Sequence, residues 1–518
     1  MIYIVGDQKD RVTTEIVARA FERSFTRGQV REIGNFLDVA TSNAIVVAIG
    51  ADEEAAEPLR RLINDGGKVI LQGSLDAALG EIAGVTVVSV DPELKTTADS
   101  EAAPAGEMRV SRAALQYSDT GIGQRSPLRR RYFCRYDFLS EWNNLGYGRI
   151  GFGNDRWSIA QVANSFETAV ASVEIDGMSS IGAAVTLRDL TRGSVLWFAR
   201  PVGAVDGQDW AVVEDFVSRH RADELPSRPF LKGIPHGYGA AVSMRLDCDE
   251  NVASARPLLD LYCSRHRPIS LAVATGRLES RKDLELISDV LQAGGSVLSH
   301  SVTHSPEWGG SSEAAEREAR DSKARLEALF AGLNVRYAVS PFHQNPSYVP
   351  GALARAGYDG FIGGSVANDP EYLMARGGVP PFGPPNIISH SQSCMLHGDC
   401  MLAGNDPLSV FKEAFRLARG SREFFGYLDH PFSERYAYGW RNEKARLEAH
   451  AAYLTYLEEE CGDGSLLFVN EDVCMRFIKE KSTAVIDYDE ASQRYAISYA
   501  QAAGFPLSIG YRGVEAAS

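Results

Sequence analysis

The chain has 518 residues, 44% hydrophobic and 23% charged, ordinary values for a globular protein with room for two or three domains. A net charge of −15 argues against binding to a phosphate backbone as its main task. Seven cysteines, odd in number and widely scattered, suit a reducing compartment better than a disulfide framework.

Residues 2–6 (Ile-Tyr-Ile-Val-Gly) read as a first buried strand. The sequence begins with no basic segment and no long apolar run, so no signal peptide is expected. No stretch approaches ~20 apolar residues, so no membrane span is expected, and the location predicted is cytoplasmic. A helical pattern follows over 12–24, with Val12, Ile16, Val17, Ala20 and Phe21 on one face. Strands are predicted at 44–50, 68–71 and 85–90, and a helix at 53–65 that Gly66 and Gly67 close. This alternation predicts a small α/β domain over 1–95, of flavodoxin-like or amidotransferase-like kind. It carries no glycine-rich nucleotide fingerprint and no cysteine in a nucleophile turn.

The polar stretch 94–107 reads as a linker or exposed loop. A mixed β-rich region follows to residue 235, separate from the first domain or continuous with it. Within it, 183–187 and 194–199 read as strands about a turn at 188–193, and 209–220 reads as an amphipathic helix. From residue 240 the α/β rhythm strengthens. Strands are predicted at 241–246, 269–274, 296–299, 337–340, 360–363, 424–428 and 465–469, with helices at 283–293, 312–332, 408–419 and 441–460. Residues 377–398, uncharged and rich in proline, glycine and histidine, read as a loop. Seven strands with intervening helices predict a distorted (β/α) barrel over 236–480. The tail, 481–518, reads as a terminal β-hairpin.

Three segments, each after a predicted strand, carry the chemistry: Asp247-Cys248-Asp249, His300-Ser301-Val302-Thr303-His304 and Asp429-His430-Pro431. In an α/β barrel, strand C-termini surround one mouth, where distant residues converge. On a helical turn, His300 and His304 would share one face and one metal ion. Taken alone, they could equally be two structural histidines. If Asp247 and Asp249 both sit at a strand end, the chain must turn there for both to reach one site. One could then complete a His-His-Asp metal site while the other takes a proton from water. Taken alone, this aspartate pair could equally cap a helix. His430 could donate a proton to a leaving amine.

At these residues the sequence resembles the polysaccharide deacetylases (NodB-homology proteins, carbohydrate esterase family 4). Asp247 and Asp249 match the first motif in an Asp-x-Asp variant, His300 to His304 match the second, His-(Ser/Thr)-x-x-His, and His430 matches the last. The resemblance covers about residues 236–475. It implies a distorted barrel, one divalent metal, usually zinc, and hydrolysis of an N-acetyl group on an amino sugar or polysaccharide precursor. Asp249, His300 and His304 would be the metal ligands, Asp247 the general base and His430 the general acid.

Two departures stand out. The arginine expected before Pro341 is missing, and Arg245 is the candidate replacement; the tryptophan expected near 358–364 is also absent. The pattern resembles atypical deacetylases found with surface-polysaccharide biosynthesis genes more than secreted chitin deacetylases. Trp308, Pro341 and His343 are candidate substrate-binding residues, and Cys394, His397 and Cys400 a weaker second metal candidate. The same site would serve a deformylase or cyclic amidase. A non-catalytic sugar-binding protein on the same fold is the alternative from another class.

Overall fold

Ile45–Ile49 is an unbroken apolar run, and all five residues are buried, as parallel strands covered on both faces require. The computed structural model describes residues 1–6, 10–35, 39, 44–99, 109–136, 148–176, 180–278, 280–364, 376–401, 406–433, 436–462, 464–489, 491–500 and 504–518. Val30–Ile33, Ile2–Gly6, Ile45–Ile49 and Lys68–Gln72 lie side by side in that order, all parallel. This second-first-third-fourth order is that of a flavodoxin-like sheet. Ser194–Phe198 extends it in parallel, placing Leu196 opposite Ile70. The sheet then runs antiparallel through Gly182–Asp189, Ala169–Ile175, Ala113–Tyr117 and Arg130–Tyr132. The α/β segment and the β-rich segment after it thus share one sheet and one apolar core. Leu94–Asp99, expected as the start of a linker, is helical; residues 100–108 lie outside those described.

The second sheet is all parallel and built from β1 (Ala240–Cys248), β2 (Ser270–Val273), β3 (Ser296–Ser299), β4 (Tyr337–Val339), β5 (Gly360–Gly364), β6 (Ile388–Gln392), β7 (Cys394–Met395), β8 (Phe424–Asp429) and β9 (Leu466–Val469). Its order is β6-β5-β4-β3-β2-β1-β8-β7, with β9 also on β1. The two ends are one run of chain. Only Ser393 separates β6 from β7, and its N–H donates to the Gly426 carbonyl of β8 at 3.0 Å. The sheet therefore curls into a distorted barrel. The loop expected over 377–398 is corrected here, because 388–392 and 394–395 are strand. His390 there is a polar residue buried at 5% exposure, and such residues concealed the strand signal.

Among the described residues, six helices pack around the sheet: α1 (Arg256–Ser264), α2 (Arg281–Gln292), α3 (Ser312–Leu329), α4 (Val349–Arg355), α5 (Ser409–Ser421) and α6 (Glu443–Cys461). A seventh, α7 (Glu471–Thr483), lies across the N-terminal ends of the strands. The N–H of Glu471 donates to Ser270 Oγ at 2.9 Å, the Asn470 amide donates to the Gly294 carbonyl at 2.8 Å, and Lys479 pairs with Asp359. Cys474, Met475, Phe477 and Ile478 form one buried cluster with Leu298, Val339, Ile362 and Ile388. α7 thereby floors the barrel and leaves the C-terminal mouth for chemistry.

The tail holds two hairpins. Val485–Asp489 pairs with Arg494–Ser498, as expected, and Ser508–Tyr511 pairs with Val514–Ala517 and also takes up Phe230–Leu231. Residues 481–483, assigned above to the tail, still belong to α7. Among the described residues, no helix is long and apolar enough to cross a membrane.

Candidate metal centre

In β1, alternate residues face opposite ways. Met244, Leu246 and Cys248 join the core beneath the helices, while Ser243, Arg245 and Asp247 are buried polar residues on the other face. The strand runs to Cys248, so Asp247 and Asp249 reach the same mouth without the turn expected between them.

His300 ends β3. Its Nδ1 lies 2.9 Å from the Val339 carbonyl, which assigns the proton to Nδ1 and leaves the Nε2 lone pair free for a metal. The expected helical turn from His300 to His304 is not formed. Ser301 and His304 have φ of 64° and 55°, left-handed values that no helix adopts. Side chains hold this loop instead. Glu318 accepts from the N–H groups of Val302 at 2.8 Å and Thr303 at 2.9 Å, and Ser301 Oγ accepts from His304 N–H at 2.9 Å. Glu307, Trp308, Phe342, His343 and Tyr438 are also left-handed. Costly backbone of this kind is typically concentrated at functional sites.

The loop brings His304 Nε2 within 3.0 Å of His300 Nε2, and the two lie 3.3 and 3.2 Å from Asp249 Oδ1. That oxygen is buried and accepts no hydrogen bond. An orphaned carboxylate oxygen facing two imidazole nitrogens is costly without a cation, so these three residues fit a divalent metal. Burial and the neighbouring His300 lower His304 to about 4, so its ring is neutral near pH 7. Burial pushes Asp249 up, but His430, His300 and His304 outweigh it and hold the carboxylate at about 2.

Asp247 sits beside this trio, and Arg245 Nε contacts its Oδ1 at 2.5 Å. Arg245, the candidate replacement for the arginine missing before Pro341, thus lies against Asp247. His343 Nε2 lies 3.6 Å from Asp247 Oδ2. Burial raises the Asp247 carboxyl, yet Arg245, His343 and His300 together hold it well below the usual range. On the far side, His430 Nε2 lies 3.6 Å from Asp249 Oδ2, and its ring stacks on Tyr438 at 4.0 Å. His430 Nδ1 meets His397 Nε2 at 2.9 Å. His397 in turn lies 3.7 Å from Asp429, which is bound by Arg446 at 2.8 Å and His450 at 3.0 Å.

Tyr438 and the Asp429 network were not found as site residues from sequence, and His397 was read only with Cys394 and Cys400. The adjacency of Asp429 to His430 was the available signal. Cys394, His397 and Cys400 form no metal-holding group among the described residues; His397 clusters instead with Asp429 and His430. Trp308 is completely buried in the helix-side core and presents no face to a sugar. Pro341 and His343 are buried too, and His343 contacts Asp247 rather than the open cleft. The exposed aromatics near the mouth are Phe342, 43% exposed and 4.8 Å from the His304 ring, and Tyr436, 37% exposed. The narrow cleft at the mouth is lined by Asp247, Asp249, His430, Tyr436 and Tyr438 among others.

Burial holds His343 at about 4 and His397 at about 3. Below the unfolded value of 6.5, the unfolded chain takes protons these folded imidazoles refuse, so stability present at neutral pH is lost in acid. Between pH 6.5 and 5 each is expected to cost about 2 kcal/mol. Urea unfolding of metal-free protein should show its midpoint falling across that window. An unchanged midpoint would contradict the burial of both rings.

No protein-family model and no curated protein matches the chain. Among solved structures it is similar to Agd3, a carbohydrate deacetylase, at 8% identity over 98% of this chain and 93% of that one, with a TM-score of 0.40. It is also similar to a family 4 acetyl xylan esterase from Clostridium thermocellum, at 14% identity over 46% of this chain and 91% of that one, TM-score 0.30. A family 4 carbohydrate esterase from Bacillus anthracis aligns at 13% identity over 48% of this chain and 86% of that one, TM-score 0.30.

Proposed function

We propose that this chain is a metal-dependent hydrolase that removes an N-acetyl or other N-acyl group from an amino sugar or polysaccharide precursor. The observation that carries the reading is the convergence of the Asp249, His300 and His304 donors, with a charged Asp247 on one side and His430 on the other. Asp249, His300 and His304 would hold the cation, with zinc favoured by two imidazoles and one carboxylate. A bound cation would supply Lewis acidity, polarising the amide carbonyl and making water acidic enough to attack.

Asp247 takes the proton from the attacking water, since Arg245 keeps its carboxylate ionised and fixed. His430 gives a proton to the departing amine, its ring held by Tyr438 and by His397 at Nδ1. Phe342 and Tyr436 offer the exposed ring faces for a sugar that Trp308 does not. The test is acetate release from N-acetylglucosamine oligomers by zinc-loaded enzyme, beside formylated amines and cyclic amides. Acetate release dependent on Asp247 supports the reading. Turnover of only formyl or cyclic substrates moves the enzyme to those reactions. Sugar binding without turnover of any substrate makes it a binding protein.

A further inference from the structure

Beneath the mouth, on the barrel floor, lies a second group of donors that the proposed reaction does not use. His390 comes from β6, and Glu471 and Cys474 from the first turn of α7. One donor atom of each lies within 4.8 Å of the others, and all three side chains are buried. Neither oxygen of Glu471 has a hydrogen-bond partner, nor does His390 Nδ1. His390 Nε2 faces the Phe424 carbonyl at 3.4 Å, which assigns the proton to Nε2 and turns the Nδ1 lone pair toward the cluster.

Arg245 does not satisfy Glu471. Its Nε and Nη2 are engaged by Asp247, and Nη1 stands 3.8 Å from Glu471 Oε1, beyond hydrogen-bond reach. A fully buried carboxylate without a hydrogen bond, whose nearest cation is an Arg245 already engaged by Asp247, sits beside an imidazole lone pair and a thiol. The charges also balance. A divalent cation with Arg245 would offset the carboxylates of Asp247 and Glu471 and the Cys474 thiolate.

We propose that His390, Glu471 and Cys474 form a second, structural metal site, selective for zinc-class ions, that fastens α7 to the barrel floor. A thiolate, an imidazole and a carboxylate together favour zinc over magnesium or calcium. All three side chains are buried, which suits a structural ion rather than a substrate. Burial keeps Cys474 a thiol in the absence of metal, so loading releases its proton. Independently of the first site, this ion stabilises the fold.

Sulfur separates the two sites, because the Asp249, His300 and His304 set has none. The full-length protein is loaded with zinc, and metal content and X-ray absorption are measured on wild type, His300→Ala and Cys474→Ser. The expected result is two ions per wild-type chain and one in His300→Ala. That remaining ion should show a sulfur neighbour at about 2.3 Å. In Cys474→Ser the sulfur signal and one ion should be lost. Cobalt loading should show a thiolate charge-transfer band in wild type and His300→Ala. Absence of any sulfur neighbour in loaded wild type would overturn the site and leave the cavity to water. If Cys474→Ser does not fold, the sulfur signal in His300→Ala decides alone.

Discussion

Replacing His300 with alanine is expected to lower kcat/KM at least about 1,000-fold, about 4 kcal/mol of transition-state stabilisation. The magnitude follows from position. Nε2 of His300 meets both His304 and Asp249, so its removal leaves a two-ligand site that binds a cation poorly. The imidazole also contacts the Val339 carbonyl through Nδ1, so the variant loses a buried hydrogen bond too. Circular dichroism and a thermal melt separate the two losses. The expected outcome is a folded protein one metal ion short of wild type and nearly inactive. Wild-type turnover in His300→Ala would remove the cation from the mechanism.

Much of the barrel was legible because parallel strands buried on both faces read as short apolar runs, and seven such runs stand where the strands lie. The strands β6 and β7 were not legible, since polar residues such as Ser389, His390 and Ser393 interrupt their apolar pattern. α7 was missed for a related reason: Glu471, Glu480 and Lys481 are buried within it, so its buried face is not purely apolar. The ligand residues were visible as types and spacings. Their backbone was not, because the left-handed Ser301 and His304 depend on Glu318, a partner in α3. Trp308 illustrates the opposite error. An aromatic beside a site reads as a sugar platform, but only burial decides whether its face is available, and here it is complete. His397 was read with Cys394 and Cys400 by spacing, whereas the fold joins it to Asp429 and His430 across the barrel closure.

Arg245 is the residue through which sequence and geometry together make the sharpest claim, because it reaches Asp247 from two positions earlier on the same strand. Arg245→Met removes the charge that most opposes the burial penalty on Asp247. The Asp247 carboxyl should then rise. Since the base must be ionised, the acid limb of the kcat/KM profile should move to higher pH by a unit or more, so the loss of activity should grow as the pH falls. The variant should also be less stable by roughly 3–5 kcal/mol, the cost of breaking a buried ion pair from one side. Arg245→Lys keeps the charge but not the two-point contact, so its acid limb should shift less than that of Arg245→Met. A pH profile separates a positioning role from a merely structural one. If Arg245→Met loses activity equally at all pH values, Arg245 does not set the ionisation of Asp247, and the base must be sought elsewhere in the cleft.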